Sequence, residues 1–241
     1  MPNVFTETSW DAQGEKYYET GVNHGLLFVA KTGTIEDKTK PYEAGVIWNG
    51  LTQIQETPSG AEANAQYADN IKYLNLYSAE EFGATIEAFT YPDEFMLCDG
   101  SASPADGLQV GQQARRSFGL AYETRVGNDQ EGTELGYKLH LIYGAMASPS
   151  EKAYQTINDS PEPITFSWEI TTTPVPVAAV AGVEYKPTAL LVLDERKIPE
   201  AKMTAVKEIL WGKAATTDPQ AAEVPSRLPL PDEVIELVAQ G

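Results

Sequence analysis

Two histidines, one cysteine and a cluster of carboxylates are the residues of this 241-residue chain whose types could carry a reaction. His24 sits in a GVNHG run and His140 in the alternating run YKLHLIYGAMA, with no sign locally of a nucleophile that either could activate. Two histidines cannot make a three-histidine metal site, and a hydrogen-bonded structural role is the reading for both. Glu87, Asp93 and Glu94 lie among aromatics, as the acid and nucleophile of glycosidases do. That chemistry depends on a separation in space, and a chain this acidic brings carboxylates together without it. The loop GNDQEGTELG has the composition of a calcium loop but not the EF-hand order of ligands. Asn158-Asp159-Ser160 matches a glycosylation acceptor in form only, because Pro161 follows and no secretion signal is present. Cys98, the single cysteine, excludes an intrachain disulfide framework and a Cys-rich zinc site, and nothing marks it as a nucleophile. The expectation is a protein that is not an enzyme, with no catalytic residue, no cofactor and no metal.

Charge narrows the partners. Against 35 acidic residues stand 17 lysines and arginines, a formal charge of −18 that repels phosphate backbones and anionic membranes. Aromatics accompanied by Glu and Asp do not make a single-strand nucleic-acid platform. Arg115-Arg116, the only adjacent basic pair, reads as a solvated or intersubunit pair. The N-terminal stretch MPNVFTETSWDAQGEKYY has neither a basic n-region nor an apolar h-region, and no run approaches the length of a membrane span. Synthesis and folding in a cytosol are expected.

Whatever these residues do, β-strands must position them. Short β-like runs at 21–31, 44–57, 67–77, 84–91, 117–126, 137–147, 164–173 and 187–194 follow one another with turn residues between. The alternation is cleanest in ITFSWEITTT, where Ile164, Phe166, Trp168 and Ile170 face one side and Thr165, Ser167, Glu169 and Thr171 the other. Helix enters late: IPEAKMTAVKEILWG places Met203, Val206, Ile209 and Leu210 at helical spacing, with Pro199 near the first turn and Gly212 as a stop. LPDEVIELVAQ is a second, short amphipathic helix. With no βαβ rhythm, the pattern predicts a mainly β, antiparallel β-sandwich or open barrel with a flanking helix and a short C-terminal helix. One domain is expected over 1–241, with an aromatic-bearing arm at 1–20 and a C-terminal linker plus helix at 213–241. Long edge strands such as GVIWNGLTQIQET invite pairing with another chain unless they are covered.

The runs YADNIKYLNLYSAEEFGATIEAFTYPDEF (67–95), GYKLHLIYGAMASPSEKAYQTINDSPEPITFSWEITTTPV (136–175), KPTALLVLD (186–194) and RLPLPDEVIEL (227–237) resemble the major tail protein, or tail tube protein, of long-tailed phages and prophages of the siphovirus type. The likeness spans about residues 23–237 and is least informative over 100–114 and 213–226. The resemblance implies a β-sandwich (the tail tube fold) that assembles into homohexameric rings, stacked into a tube whose β-lined channel conducts DNA during ejection. It implies a structural virion protein placed in the tail and assembled in the host bacterial cytoplasm. Its partners would be copies of itself and other tail proteins such as the tape measure, tail tip and terminator; DNA passes without specific binding, and no membrane is engaged.

Elementary geometry agrees with a tube. Six subunits giving four strands each, about 4.8 Å apart and tilted about 40°, would close a wall on the order of 48 Å across, wide enough for a duplex. An acidic wall repels phosphates within a Debye length of about 8–10 Å, so that DNA slides. The polar faces of 44–57 and 67–77 are the expected lining, with Gln53, Gln55, Glu56 and Asp69 facing the lumen. The 1–20 arm, the 31–43 connection and the C-terminal helix are the expected ring-to-ring contacts. Two alternatives are a monomeric β-sandwich module binding a ligand or carbohydrate through exposed Tyr and Trp, and a hydrolase built on Glu87 or Glu94. A related one is a terminator or baseplate ring protein.

Overall fold

The computed structural model describes residues 12–33, 38–157, 159, 162–180, 182–214, 216–217, 220–221 and 223–239. Most of the expected N-terminal arm, 1–11, therefore lies outside the described residues, as do 34–37 of the 31–43 connection and Asn158 and Ser160 of the glycosylation match. The end of the expected arm is strand: Tyr18 to Thr20 open β1 (Tyr18–Val29), which is followed by β2 (Val46–Trp48) and β3 (Leu51–Glu56). The short pieces β4 (Ser59–Gly60), β5 (Ala63–Ala68), β6 (Ile71–Tyr77) and β7 (Glu80–Glu81) lead to β8 (Gly83–Ala88). A 3-10 turn (Asp93–Phe95), the one-turn helix α1 (Met96–Asp99), β9 (Ala102–Ala105) and β10 (Leu108–Val110) precede the long hairpin of β11 (Phe118–Asn128) and β12 (Gly132–Ala147). Then come β13 (Phe166–Thr172), β14 (Leu190–Asp194), α2 (Glu200–Trp211), β15 (Thr216–Thr217), β16 (Gln220–Ala221) and α3 (Pro231–Ala239).

The fold is mainly β and antiparallel, as the alternation predicts, with the hydrogen-bonded order β2-β1-β11-β12-β13-β8-β3 and β14 paired to β12 alongside it. The sixteen-residue β12 makes the sandwich. Its Lys138–Ile142 portion pairs with β14, and its Ala145–Ala147 end pairs with β13. Between the two stands Gly144, at φ 58°, where a Cβ would lie 2.3 Å from the Thr173 carbonyl oxygen. Only glycine permits that close turn. The strand thus passes from a layer of β2, β1, β11, β12 and β14 into a facing layer of β13, β8 and β3.

Both faces of the first layer are covered. Between the layers lie Leu27, Trp48, Ile86, Phe118, Leu120, Ile142 and Trp168, with Phe95 packed 4.6 Å from Trp48 and 5.0 Å from Trp168, ring centre to ring centre. Outside the first layer Phe28, Leu139, Leu141 and Tyr143 pack under Met203, Val206 and Leu210 of α2 and Val234 of α3. This is why YKLHLIYGAMA is apolar on both faces whereas β13 alternates, with Trp168 and Ile170 buried and Glu169 and Thr171 exposed. Helix α2 begins after Pro199 and stops at Gly212, φ 73°, as its sequence predicts. Cys98 is buried, and burial pushes its thiol up to about 12. Among the described residues no helix is long and apolar enough to cross a membrane.

Candidate assembly interface

Pairing of β3 with β8, β4 with β7 and β5 with β6 makes one nested hairpin from Leu51 to Ala88. Its inner end belongs to the sandwich: Ala84, Ile86 and Ala88 are buried and Ile54 packs on the core. Its outer end, β5 and β6, has no third strand among the described residues. The tip is the two-residue turn Asp69-Asn70, with φ of 50° and 64°. Two successive positive φ values are what a tight hairpin turn needs, and Asp and Asn tolerate them better than other non-glycine residues. Gly60, φ 86°, marks a joint nearer the sandwich, where a Cβ would meet the Ala79 carbonyl oxygen at 2.2 Å.

The arm is apolar where it is wettest. Tyr67, Ile71, Tyr73 and Tyr77 are 73%, 63%, 69% and 67% exposed, and Leu76 is exposed beside them. At about 3.3 Å per residue, the chain from Ser59 to the tip reaches at most about 35 Å. Isolated two-stranded hairpins are marginal in water, and apolar patches of this kind mark docking surfaces.

The root of the arm is fixed by a polar cluster. Glu56, the last residue of β3, accepts a hydrogen bond from the Tyr122 hydroxyl at 2.9 Å, and its carboxylate lies 3.4 Å from His140 Nδ1. The His140 ring stacks on Tyr122 at 4.6 Å and shares a 3.0 Å hydrogen bond with Thr124 Oγ1 through Nε2. The adjacent His140 holds the Glu56 carboxyl below its usual range, with help from Tyr122 and against the effect of burial. Burial, then the Glu56 charge, pushes the Tyr122 phenol far up.

At its other end β3 meets β1, because Gly25 has no side chain: a Cβ there would lie 2.4 Å from Leu51 Cδ1. Beside this crossing opens a cleft of about 550 Å³ lined by Val22, His24, Ile47, Trp48, Leu51 and Trp211 among others. A second cleft of about 290 Å³ shares Asn23, His24 and Trp211 and continues to Glu123, Glu134, Tyr137, Glu195 and Lys207. Glu123 is buried and held twice, by a 2.8 Å hydrogen bond shared with His24 Nδ1 and by Lys207 Nζ at 3.1 Å. The Lys207 ammonium also lies 3.6 Å from the Tyr137 ring centre and 4.6 Å from that of Trp211. Glu195 has no such cation: burial, with Glu123, Asp194 and Glu200 nearby, raises its carboxyl, and Lys207 only partly opposes this.

The four residues expected to line a lumen do not share one surface. Gln53 and Gln55 are exposed on β3, to either side of the core-facing Ile54. Glu56 is engaged with Tyr122, and Asp69 sits at the arm tip. Gln53 and Gln55 instead belong to two cross-strand rows, Gln53–Glu87–Ser167 and Gln55–Thr85–Glu169, which make the outer face of the three-strand layer polar and acidic. Sequence reasoning missed Glu87 and Glu169 as members of that face because their rows exist only once strand partners are known. His24 and His140 are both hydrogen-bonded within the chain, Asp93 and Glu94 are exposed in the 3-10 turn, and Arg115 donates to the Ala147 carbonyl at 2.8 Å. The GNDQEGTELG loop closes as a tight hairpin in which Asn128 Oδ1 accepts from the backbone NH groups of Gln130 and Glu131. Among the described residues no group of three or more His, Cys, Asp and Glu side chains is placed to hold a metal.

Comparison with protein-family models and with curated proteins finds no match for this chain.

Proposed function

We propose that this protein is the structural subunit of a siphovirus-type phage or prophage tail tube, polymerising as stacked, hexameric rings around a channel for DNA. The observation that carries the proposal is the nested 51–88 hairpin, whose outer half exposes Tyr67, Ile71, Tyr73 and Tyr77 and has no third strand among the described residues. Such a surface is a liability in a monomer and an asset in a polymer. The outer edges of β2 and β3, unpaired among the described residues, offer further main-chain donors and acceptors to neighbours. The wet face of β3, β8 and β13, carrying Gln53, Gln55, Glu87 and Glu169, has the polarity a DNA-conducting wall requires, which adds Glu87 and Glu169 to Gln53 and Gln55 as proposed lining. The tape measure, tail tip and terminator remain the proposed partners, and the virion tail the proposed location.

Electron microscopy of the purified protein at rising concentration tests this. Hollow tubes or rings are expected; a monomer at every concentration refutes it. The exposed Trp211 beside the 550 Å³ cleft favours one second reading, a carbohydrate- or ligand-binding module. A sugar-dependent rise in Tm of a persistent monomer would establish that reading instead.

A further inference from the structure

We infer that the arm tip of one copy docks in the cleft beside Trp211 of another copy, with Tyr67 entering beside the exposed Trp211 ring and Lys72 meeting Glu195. The inference rests on the assembly reading above and names the partner of the arm.

Three observations lead to it. The first is placement. Strand β3 starts against Gly25 of β1, beside the cleft, and ends where Glu56 reaches Tyr122 of β11 and His140 of β12. The arm continues from the Glu56 end of β3, and the cleft opens beside its Leu51 end. A contact between them joins two different surfaces, and where it is made in one direction only it propagates to a ring or filament. The second is charge. Lys72 is the only cation between Lys40 and Arg115, and it sits at the arm tip with no ion-pair partner among the described residues. In the cleft, Lys207 is committed to Glu123 and Arg125 to Glu134 at 3.3 Å, and nearby Arg196 is committed to Asp194 at 2.6 Å, which leaves Glu195 as the lining acid with no ion pair among the described residues. A half-buried carboxyl whose protonation is favoured by burial and by acidic neighbours is relieved by an incoming ammonium. The third is shape. Tyr67 and Lys72 are cross-strand partners, so they present a ring and a cation side by side. Trp211 and Glu195 line one cleft, which shares Asn23, His24 and Trp211 with the larger one beside Ile47 and Leu51.

The single native cysteine is buried, so introduced cysteines can be read cleanly. Chains carrying Tyr67→Cys and chains carrying Trp211→Cys are prepared separately, then oxidised alone and mixed. A covalent dimer is expected in the mixture and not in either variant alone. Equal crosslinking of Tyr67→Cys with itself would overturn the arm-to-cleft contact, and no crosslink in the mixture, with assembly retained, would place the arm elsewhere. In parallel, Lys72→Glu is expected to raise the concentration needed for assembly by about tenfold or more, and Lys72→Glu combined with Glu195→Lys to restore it to within about threefold, as for a charge pair at an interface. Assembly that ignores Lys72→Glu, or no restoration in a double variant of native Tm, refutes the docking while leaving the tube reading intact. A native protein that never self-associates refutes both.

Discussion

Replacing residues 59–81 with a two-residue Asn-Gly turn between Pro58 and Phe82 separates folding from assembly. None of the removed residues is buried, so no core contact is lost with them. The hydrogen bond from Thr57 NH to the Gly83 carbonyl, 2.8 Å, remains to hold the new turn in register, as does that from Thr172 Oγ1 to the Phe82 carbonyl, 2.6 Å. Closing a short loop in place of a long flexible one lowers the entropic cost by at most about 2 kcal/mol. With no opposing loss of burial, the shortened chain should be as stable as the native one or slightly more so. For a domain of this size that is a Tm unchanged or raised by a few degrees. Self-association should disappear. Urea denaturation gives the first quantity, and sedimentation velocity across a hundredfold concentration range gives the second. A loss of more than about 2 kcal/mol in stability would mean that the arm packs against its own chain, and rings or tubes formed without the arm would mean that it is not the assembly element.

Other perturbations read the remaining links. Trp168→Ala removes a fully buried ring packed against Trp48, Phe95 and Tyr91, and should cost about 3–5 kcal/mol in urea denaturation. Gly144→Ala forces a side chain into a left-handed position against the Thr173 carbonyl, so a loss of about 1–3 kcal/mol and a lower Tm are expected. The Glu56 carboxyl is held below its ordinary value of 4.5, so its contribution is fully present above pH 4.5 and is lost as pH falls through the lower folded value. Glu56→Gln should therefore flatten the fall in urea midpoint between pH 5 and pH 3, by a small amount because the side chain is partly exposed; an unchanged profile would argue against the Tyr122–His140 anchor. Cys98, buried and with its thiol pushed up to about 12, should not react with a thiol reagent at pH 7 until the chain unfolds.

Much of the sandwich can be read directly from local pattern. The alternation of Phe166, Trp168 and Ile170 places β13 half in the core, and Pro199 and Gly212 bracket α2, because each signal lies within the element it describes. The nesting of 51–88 into one hairpin is harder to see. Its strands are broken by Pro58, Gly60 and Ser78-Ala79, and the run expected as one strand over 67–77 in fact crosses the Asp69-Asn70 turn between β5 and β6. The inward turn of Glu56 is invisible for a different reason: its partners Tyr122 and His140 are 66 and 84 positions away, and alternation alone cannot say which side of an edge strand is covered. The same limit hid the rows of Gln53 with Glu87 and Gln55 with Thr85, since lateral neighbours are set by register and not by sequence distance. Outward apolar residues on β5 and β6 also violate the expectation that alternation marks a buried side, and they do so where no second layer among the described residues receives them.

Strand β12 belongs to both layers of the sandwich without interruption. Two sheets joined only by side-chain packing can slip past one another under load. Here a sideways pull on β13 and β8 is transmitted through covalent backbone at Gly144 to the layer braced by the helices. Shear between the layers therefore loads the main-chain hydrogen bonds of β12 as well as side-chain packing, a mechanically stiff arrangement.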